Sequence, residues 1–85
     1  MELKKGTVVY SLAGHDKNTF QVVLDFDDKY VSVCDGKYRL IEKPKKKKII
    51  HVKISNTVLS ESDIITNRSV RAALRAFNES VGTAR

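Results

Sequence analysis

Apolar and polar residues alternate along the first two thirds of this chain and fall on a three-to-four spacing near its end. Val8, Val9 and Tyr10 begin a first strand, and Phe20, Val22, Leu24 and Phe26 then alternate with Gln21, Val23 and Asp25. That period of two, with one strongly apolar face, predicts a β-strand. Asp27, Asp28 and Lys29 form a polar turn, and a third strand covers residues 30–34 with Val31 and Val33 on one side. Asp35 and Gly36 both tolerate positive φ, so they predict a two-residue hairpin leading into a fourth strand over residues 37–41. Lys43 and Pro44 break that strand, because proline cannot donate to a ladder. A fifth strand is expected over residues 49–54, with Ile50, Val52 and Ile54 facing one way and His51 and Lys53 the other. Five short strands with tight turns suggest a small closed barrel, which removes exposed sheet edges.

Beyond Ile54 the pattern changes. Ser55, Asn56 and Thr57 read as a loop, and residues 60–63 are rich in capping types. Val70, Ala73, Leu74 and Phe77 fall on one face of a helix expected over residues 67–79, with Thr66 or Asn67 as its N-cap and Gly82 as its stop. Arg68, Arg71 and Arg75 occupy the opposite face. Residues 1–56 thus read as a barrel and residues 57–85 as a loop and helix docked on it, one domain overall.

Charge sharpens the picture. The 85 residues include 16 Lys or Arg and 10 Asp or Glu, a formal net charge of +6, which favours an anionic partner. The single cysteine, Cys34, excludes an intramolecular disulfide and a cysteine-based zinc site and reads as a packing residue. No stretch approaches the roughly 18 apolar residues of a membrane helix, and the start has no apolar run of a signal peptide, so a cytoplasmic location away from membranes is expected. The strongest electrostatic feature is the run Lys43, Lys45, Lys46, Lys47 and Lys48, broken only by Pro44. Repulsion among these side chains is relieved by bound anions, and phosphate groups supply them with release of condensed counterions. Arg39 precedes the run, and His51 and Lys53 extend the charge into the next strand. Acidic residues at 25, 27, 28 and 35 cluster in turns, but the chain has no phosphate-cradling glycine loop and no nucleophile–base pair at a familiar spacing. Two histidines and one cysteine without close spacing do not make a metal site. Neither catalysis nor a cofactor is expected.

The loop between the first two strands completes the argument. Ala13 and Gly14 are followed by His15, Asp16, Lys17 and Asn18, so the chain can turn tightly at Gly14 and Asn18 while presenting His15 and Lys17. Strand, Gly-x-x-Lys, turn residue, strand resembles the KOW motif of ribosomal proteins and NusG-type transcription factors. With the segment around Asp35 and Gly36 and the Pro-Lys-Lys run, residues 5–54 look like a small bacterial KOW-domain RNA-binding protein, similar in turn to KOW-containing large-subunit ribosomal proteins of eukaryotes and archaea. Asn18 stands where the motif usually has glycine.

The resemblance implies a mainly β fold, an SH3-like five-stranded barrel with the C-terminal helix added, and RNA binding. The expected RNA-facing residues are Gly14, His15, Lys17 and Asn18 of the loop, Arg39, the five lysines at 43 and 45–48, and His51 and Lys53. Arg68, Arg71 and Arg75 form a possible second basic face, and Tyr10, Tyr30 and Tyr38 are candidates to stack on bases. Ribosomal RNA is the expected partner class, with ribosomal proteins as candidate neighbours and a monomer as the free state. The chief alternative is a protein-interaction module of the translation or transcription machinery, its acidic turns or helix docking on a partner and RNA incidental.

Overall fold

The computed structural model describes residues 3–83, with side chains through Glu79. Five strands, β1 (Thr7–Ser11), β2 (Phe20–Phe26), β3 (Tyr30–Cys34), β4 (Lys45–Lys48) and β5 (Val52–Val58), form one antiparallel sheet in the order β4-β3-β2-β1-β5. A helix, α1 (Asn67–Thr83), follows. Val22 and Val23 are adjacent in β2 and both fully buried, so both faces of the sheet are covered. On one face Val8, Val22 and Cys34 pack with Ile64 and with Val70 and Leu74 of α1. On the other, Val9, Val23, Val31, Val33 and Val52 pack on one another as the sheet curls into a concave face, with Leu3, Ile49 and Ile54 packed against them. Register irregularities between Val23 and Asp25, and between Thr7 and Val9, mark where the strands bend.

The sheet is mainly as its hydrophobic pattern dictates, but it is not closed: β4 and β5 remain its two edges. A single turn of 3-10 helix, Ile49–His51, carries the chain from one edge to the other and leaves no hairpin to zip them together. The lysines of β4 also make that edge a poor template for further pairing.

Three expected elements differ. Residues 37–41 form a loop, because one carboxylate oxygen of Asp35, Oδ1, accepts backbone N–H bonds from Lys37, Tyr38 and Arg39 at 2.8, 2.8 and 2.9 Å. This Asx arrangement outcompetes a ladder, leaving only the isolated bridge between Leu40 and Lys43. The fourth strand is instead the lysine run itself. The fifth begins at Val52, which leaves Ile50 in the 3-10 turn with 77% of its surface exposed, and continues through the expected loop at 55–57. There Ser55 Oγ donates to the Val8 carbonyl at 2.6 Å across the bulge.

The helix starts where its spacing predicts. Thr66 caps it: its Oγ1 accepts from the Ser69 amide at 3.0 Å, and Ser69 Oγ accepts from the Thr66 amide at 3.1 Å, a reciprocal box with serine in the third position. Asn67 instead ties the helix to the preceding loop, accepting from the Ile41 amide and donating to Glu42. α1 passes through Gly82, the expected stop, and ends at Thr83.

Candidate nucleic-acid interface

Strand alternation divides four identical lysines. Val31 and Val33 point into the concave cluster, and the register pairs them with Lys47 and Lys45. Those two lysines therefore point inward, and Lys46 and Lys48 point outward. Lys47 is only 7% exposed. Its Nζ donates to the Ala13 carbonyl and to Asp16 Oδ1, both at 2.9 Å. Asp16 also accepts from Ser11 Oγ at 3.0 Å and from Gln21 Nε2 at 2.7 Å. Burial alone would raise the Asp16 pKa, but the hydrogen bonds from Lys47, Gln21 and Ser11, with the Lys47 charge, bring it down to about 2. Lys47 is thus an internal clamp, and its expected place facing RNA is corrected by its burial.

The clamp shapes the loop it holds. Gly14 and Asn18 adopt positive φ, 91° and 70°, as their residue types predicted. The Asn18 amide returns to the Ser11 carbonyl at 2.9 Å, and Tyr10 Oη donates to Asn18 Oδ1 at 3.2 Å. His15 and Lys17 project from this loop, exposed. The ammoniums of Lys47 and Lys45 lie 3.5 and 3.7 Å from where a Cβ on Gly14 would sit. The folding of the chain therefore brings the Gly14 loop and the lysine strand, far apart in sequence, to one rim holding His15, Lys17 and Lys45. The His51 carbonyl accepts from the Leu12 amide at 2.9 Å, which sets the 3-10 turn beside the same loop.

The remaining candidates spread around this rim. Lys46 lies 4.6 Å from the Tyr30 ring centroid, and Asp25 shares its row across Ser32. Asp27 is near as well: its carboxyl is held below the usual value first by the Lys29 and Tyr30 amides and further by Lys46 and Lys29. Lys46 therefore sits among acids and an aromatic ring, whereas Lys48 and Lys43 are exposed. Arg39 is half-buried in the Asx loop, and Lys53 is exposed on β5 opposite Tyr10. Tyr10 packs against Phe20 at 4.9 Å between ring centroids.

The helix arginines join the loop from its other side. Arg71 and Arg75 line a cleft of about 450 Å³ with Asn18, Thr19, Lys37 and Tyr38. Arg68 is exposed one turn earlier and is not among the cleft residues. Lys37, Thr19 and Asn78 line the cleft and lie outside the expected RNA-facing set. The Asp-Gly-Lys-Tyr-Arg segment carried a signal for Lys37 and Tyr38, since an Asx turn there pushes both side chains outward, but the hairpin reading hid it.

Cys34 lies in the core beneath α1, where burial pushes its thiol up to about 12, with Asp35 and Glu42 adding to the effect. In the native protein at neutral pH, iodoacetamide should label it far more slowly than in urea; equal rates would place the thiol at the surface.

No protein-family model matches the chain, and no curated protein does. Among the described residues, no helix is long and apolar enough to cross a membrane.

Proposed function

We propose that this protein is a non-catalytic RNA-binding protein that docks structured RNA, with ribosomal RNA the expected class, through the rim where the Gly14 loop meets the lysine strand. The observation that carries this reading is the Lys47 clamp on Ala13 and Asp16. It fixes the loop backbone against β4, so that His15, Lys17 and Lys45 are presented together on a rigid base, and preorganised cations lose less freedom on meeting phosphates. The curled five-stranded sheet with two bulges is compatible with an SH3-like barrel of KOW type, and the positive φ of Asn18 keeps the turn where that motif usually has glycine. Such contacts position RNA without reading its sequence.

On this reading the salt dependence follows from which lysines are free to meet phosphates. With Lys47 internal and Lys46 among acids, Lys17, Lys43, Lys45 and Lys48 are the phosphate ligands. Four contacts give a slope of log affinity against log salt of roughly −3 to −3.6. Filter binding of an RNA hairpin across a salt series measures it, and Lys45→Gln with Lys48→Gln should flatten the slope by about 1.5. A slope near zero for the unaltered protein would remove the phosphate-docking reading. The interaction-module reading is favoured by the acidic turn at Asp25, Asp27 and Asp28, which is exposed and repels phosphate on its side. On that reading, replacing these three by Asn abolishes association with a protein partner and leaves RNA affinity unchanged or higher.

A further inference from the structure

Beside the phosphate-binding rim lies a cleft of different character. Its walls are the Asn18–Thr19 limb of the loop, the 35–38 loop and the outward face of α1, and Leu74 closes its floor. At about 450 Å³ it falls within the roughly 300–1,000 Å³ typical of small-ligand clefts. Tyr38 stands on one wall with 76% of its surface exposed, and the Lys37 Nζ lies 5.1 Å from its ring centroid. Arg71 and Arg75 stand opposite on successive turns of the helix, and neither guanidinium has an acidic partner among the described residues. The two asparagines at the cleft are oriented by bonds elsewhere. Asn78 Oδ1 accepts from the Phe20 amide at 2.8 Å and Asn18 Oδ1 from Tyr10 Oη at 3.2 Å, so each keeps its Nδ2 donors to offer.

Two carboxylates also line the cleft. Asp35 has one oxygen saturated by three backbone amides, and Glu79 lies at the helix end of the lining. Three cations therefore face two acids, a net excess of one positive charge. That suits a singly charged phosphodiester better than a dense polyanion.

We infer that this cleft binds one unpaired nucleotide of the RNA: its base stacks on Tyr38, its phosphate meets Arg71, Arg75 and Lys37, and the Asn18 and Asn78 amides donate to base or sugar acceptors. The inference rests on the RNA-binding reading and adds to it. The rim holds backbone phosphates of any helix, whereas the cleft selects RNA with an unstacked base nearby. An aromatic face with a cation and amide donors is the chemistry by which single-stranded bases are held. A paired helix cannot use it, because its bases are already stacked.

The test compares a blunt-ended, fully paired RNA duplex with the same duplex carrying a five-nucleotide single-stranded extension. The extended RNA should bind about tenfold tighter, the effect of one base–aromatic stack. Tyr38→Ala should erase that preference and leave the blunt duplex bound as before, and Tyr38→Phe should restore it. Arg71→Gln with Arg75→Gln should reduce the preference without changing the melting temperature, since both side chains are exposed. Equal binding of the two RNAs, or a preference that survives Tyr38→Ala, overturns the cleft while leaving the rim in place. Failure of the unaltered protein to bind either RNA overturns the RNA-binding reading, and the cleft assignment with it.

Discussion

Replacing Lys47 by Gln should destabilise the protein by about 3–5 kcal/mol, whereas Lys48→Gln should change stability by no more than about 0.5 kcal/mol. The two residues are neighbours of one type in one strand, and the difference is the face each occupies. Lys47→Gln leaves the half-buried Asp16 carboxylate and Ala13 carbonyl without their cation, and a shielded charge stripped of its partner is costly in a small protein. The loss is a large share of the roughly 4–13 kcal/mol expected for 85 residues. Urea melts followed by circular dichroism measure both variants. Asp16→Leu combined with Lys47→Met should be less harmful than the sum of the two single changes, with a coupling of about 1–3 kcal/mol, because the pair disappears together. It should not be neutral, because Gln21 would lose its acceptor at Asp16 while its Oε1 is already unpartnered.

The same cluster fixes a pH dependence. The Asp16 pKa is about 2 in the folded protein against an ordinary 3.8, so the unfolded chain binds its proton first. Its contribution to stability is fully present above about pH 4 and is lost as pH falls from there through about 2. Asp27 is lowered too and acts in the same direction. Asp16→Asn should therefore flatten the acid limb of the stability curve while lowering its plateau. An unchanged acid limb would show that Asp16 does not hold the clamp.

This cluster also marks the boundary of what the chain's pattern could reveal. Alternation in β2, the apolar spacing of Val70, Leu74 and Phe77, and the turn chemistry of Gly14 and Asn18 were legible because each is a local property: a period of two, a period near 3.6, a residue type suited to positive φ. Four consecutive lysines carry no period at all. Nothing in the run distinguishes Lys47 from Lys48 until β3 pairs with it, and the register that buries Lys47 is set by Val31, sixteen positions earlier in the sequence. The run therefore reads as a phosphate-binding loop, when it is an edge strand with Lys45 and Lys47 turned inward and Lys47 buried. Asp35 misled for a related reason. Asp followed by Gly is a hairpin signal between strands, yet a carboxylate that captures three amides at once ends the strand pattern, and only the packing of Gly36 on the helix decides between the two. Of the candidate site, the loop and the identity of its charges were visible beforehand; the cleft was not, since it exists only where three segments distant in sequence converge.

Gly36→Ala should be the other severe substitution, and its cause is contact rather than charge. Gly36 has φ of 78°, and a Cβ there would run into the Asn67 carbonyl oxygen and lie 2.9 Å from the Arg71 amide nitrogen. Both are backbone atoms of α1 and cannot rotate away, so the loop and the helix must separate. Positive φ at alanine costs about 1–2 kcal/mol, and an overpacked contact about 1–3 kcal/mol more. Gly14→Ala provides the control. Its φ is 91°, but the nearest atoms to its Cβ, at 3.4–3.7 Å, are side-chain ends of Asp16, Lys47 and Lys45, so only the backbone term of about 1–2 kcal/mol applies. Thermal melts of the two variants should rank them in that order. Helix undocking has its own signature, because Cys34 lies beneath α1 with Val70 and Leu74: in Gly36→Ala the thiol should be alkylated faster than in the unaltered protein, and in Gly14→Ala it should not. If Gly36→Ala melts like the unaltered protein and its thiol stays protected, the close approach of the 35–38 loop to the helix is wrong. The cleft that depends on that approach then loses the wall on which Tyr38 stands.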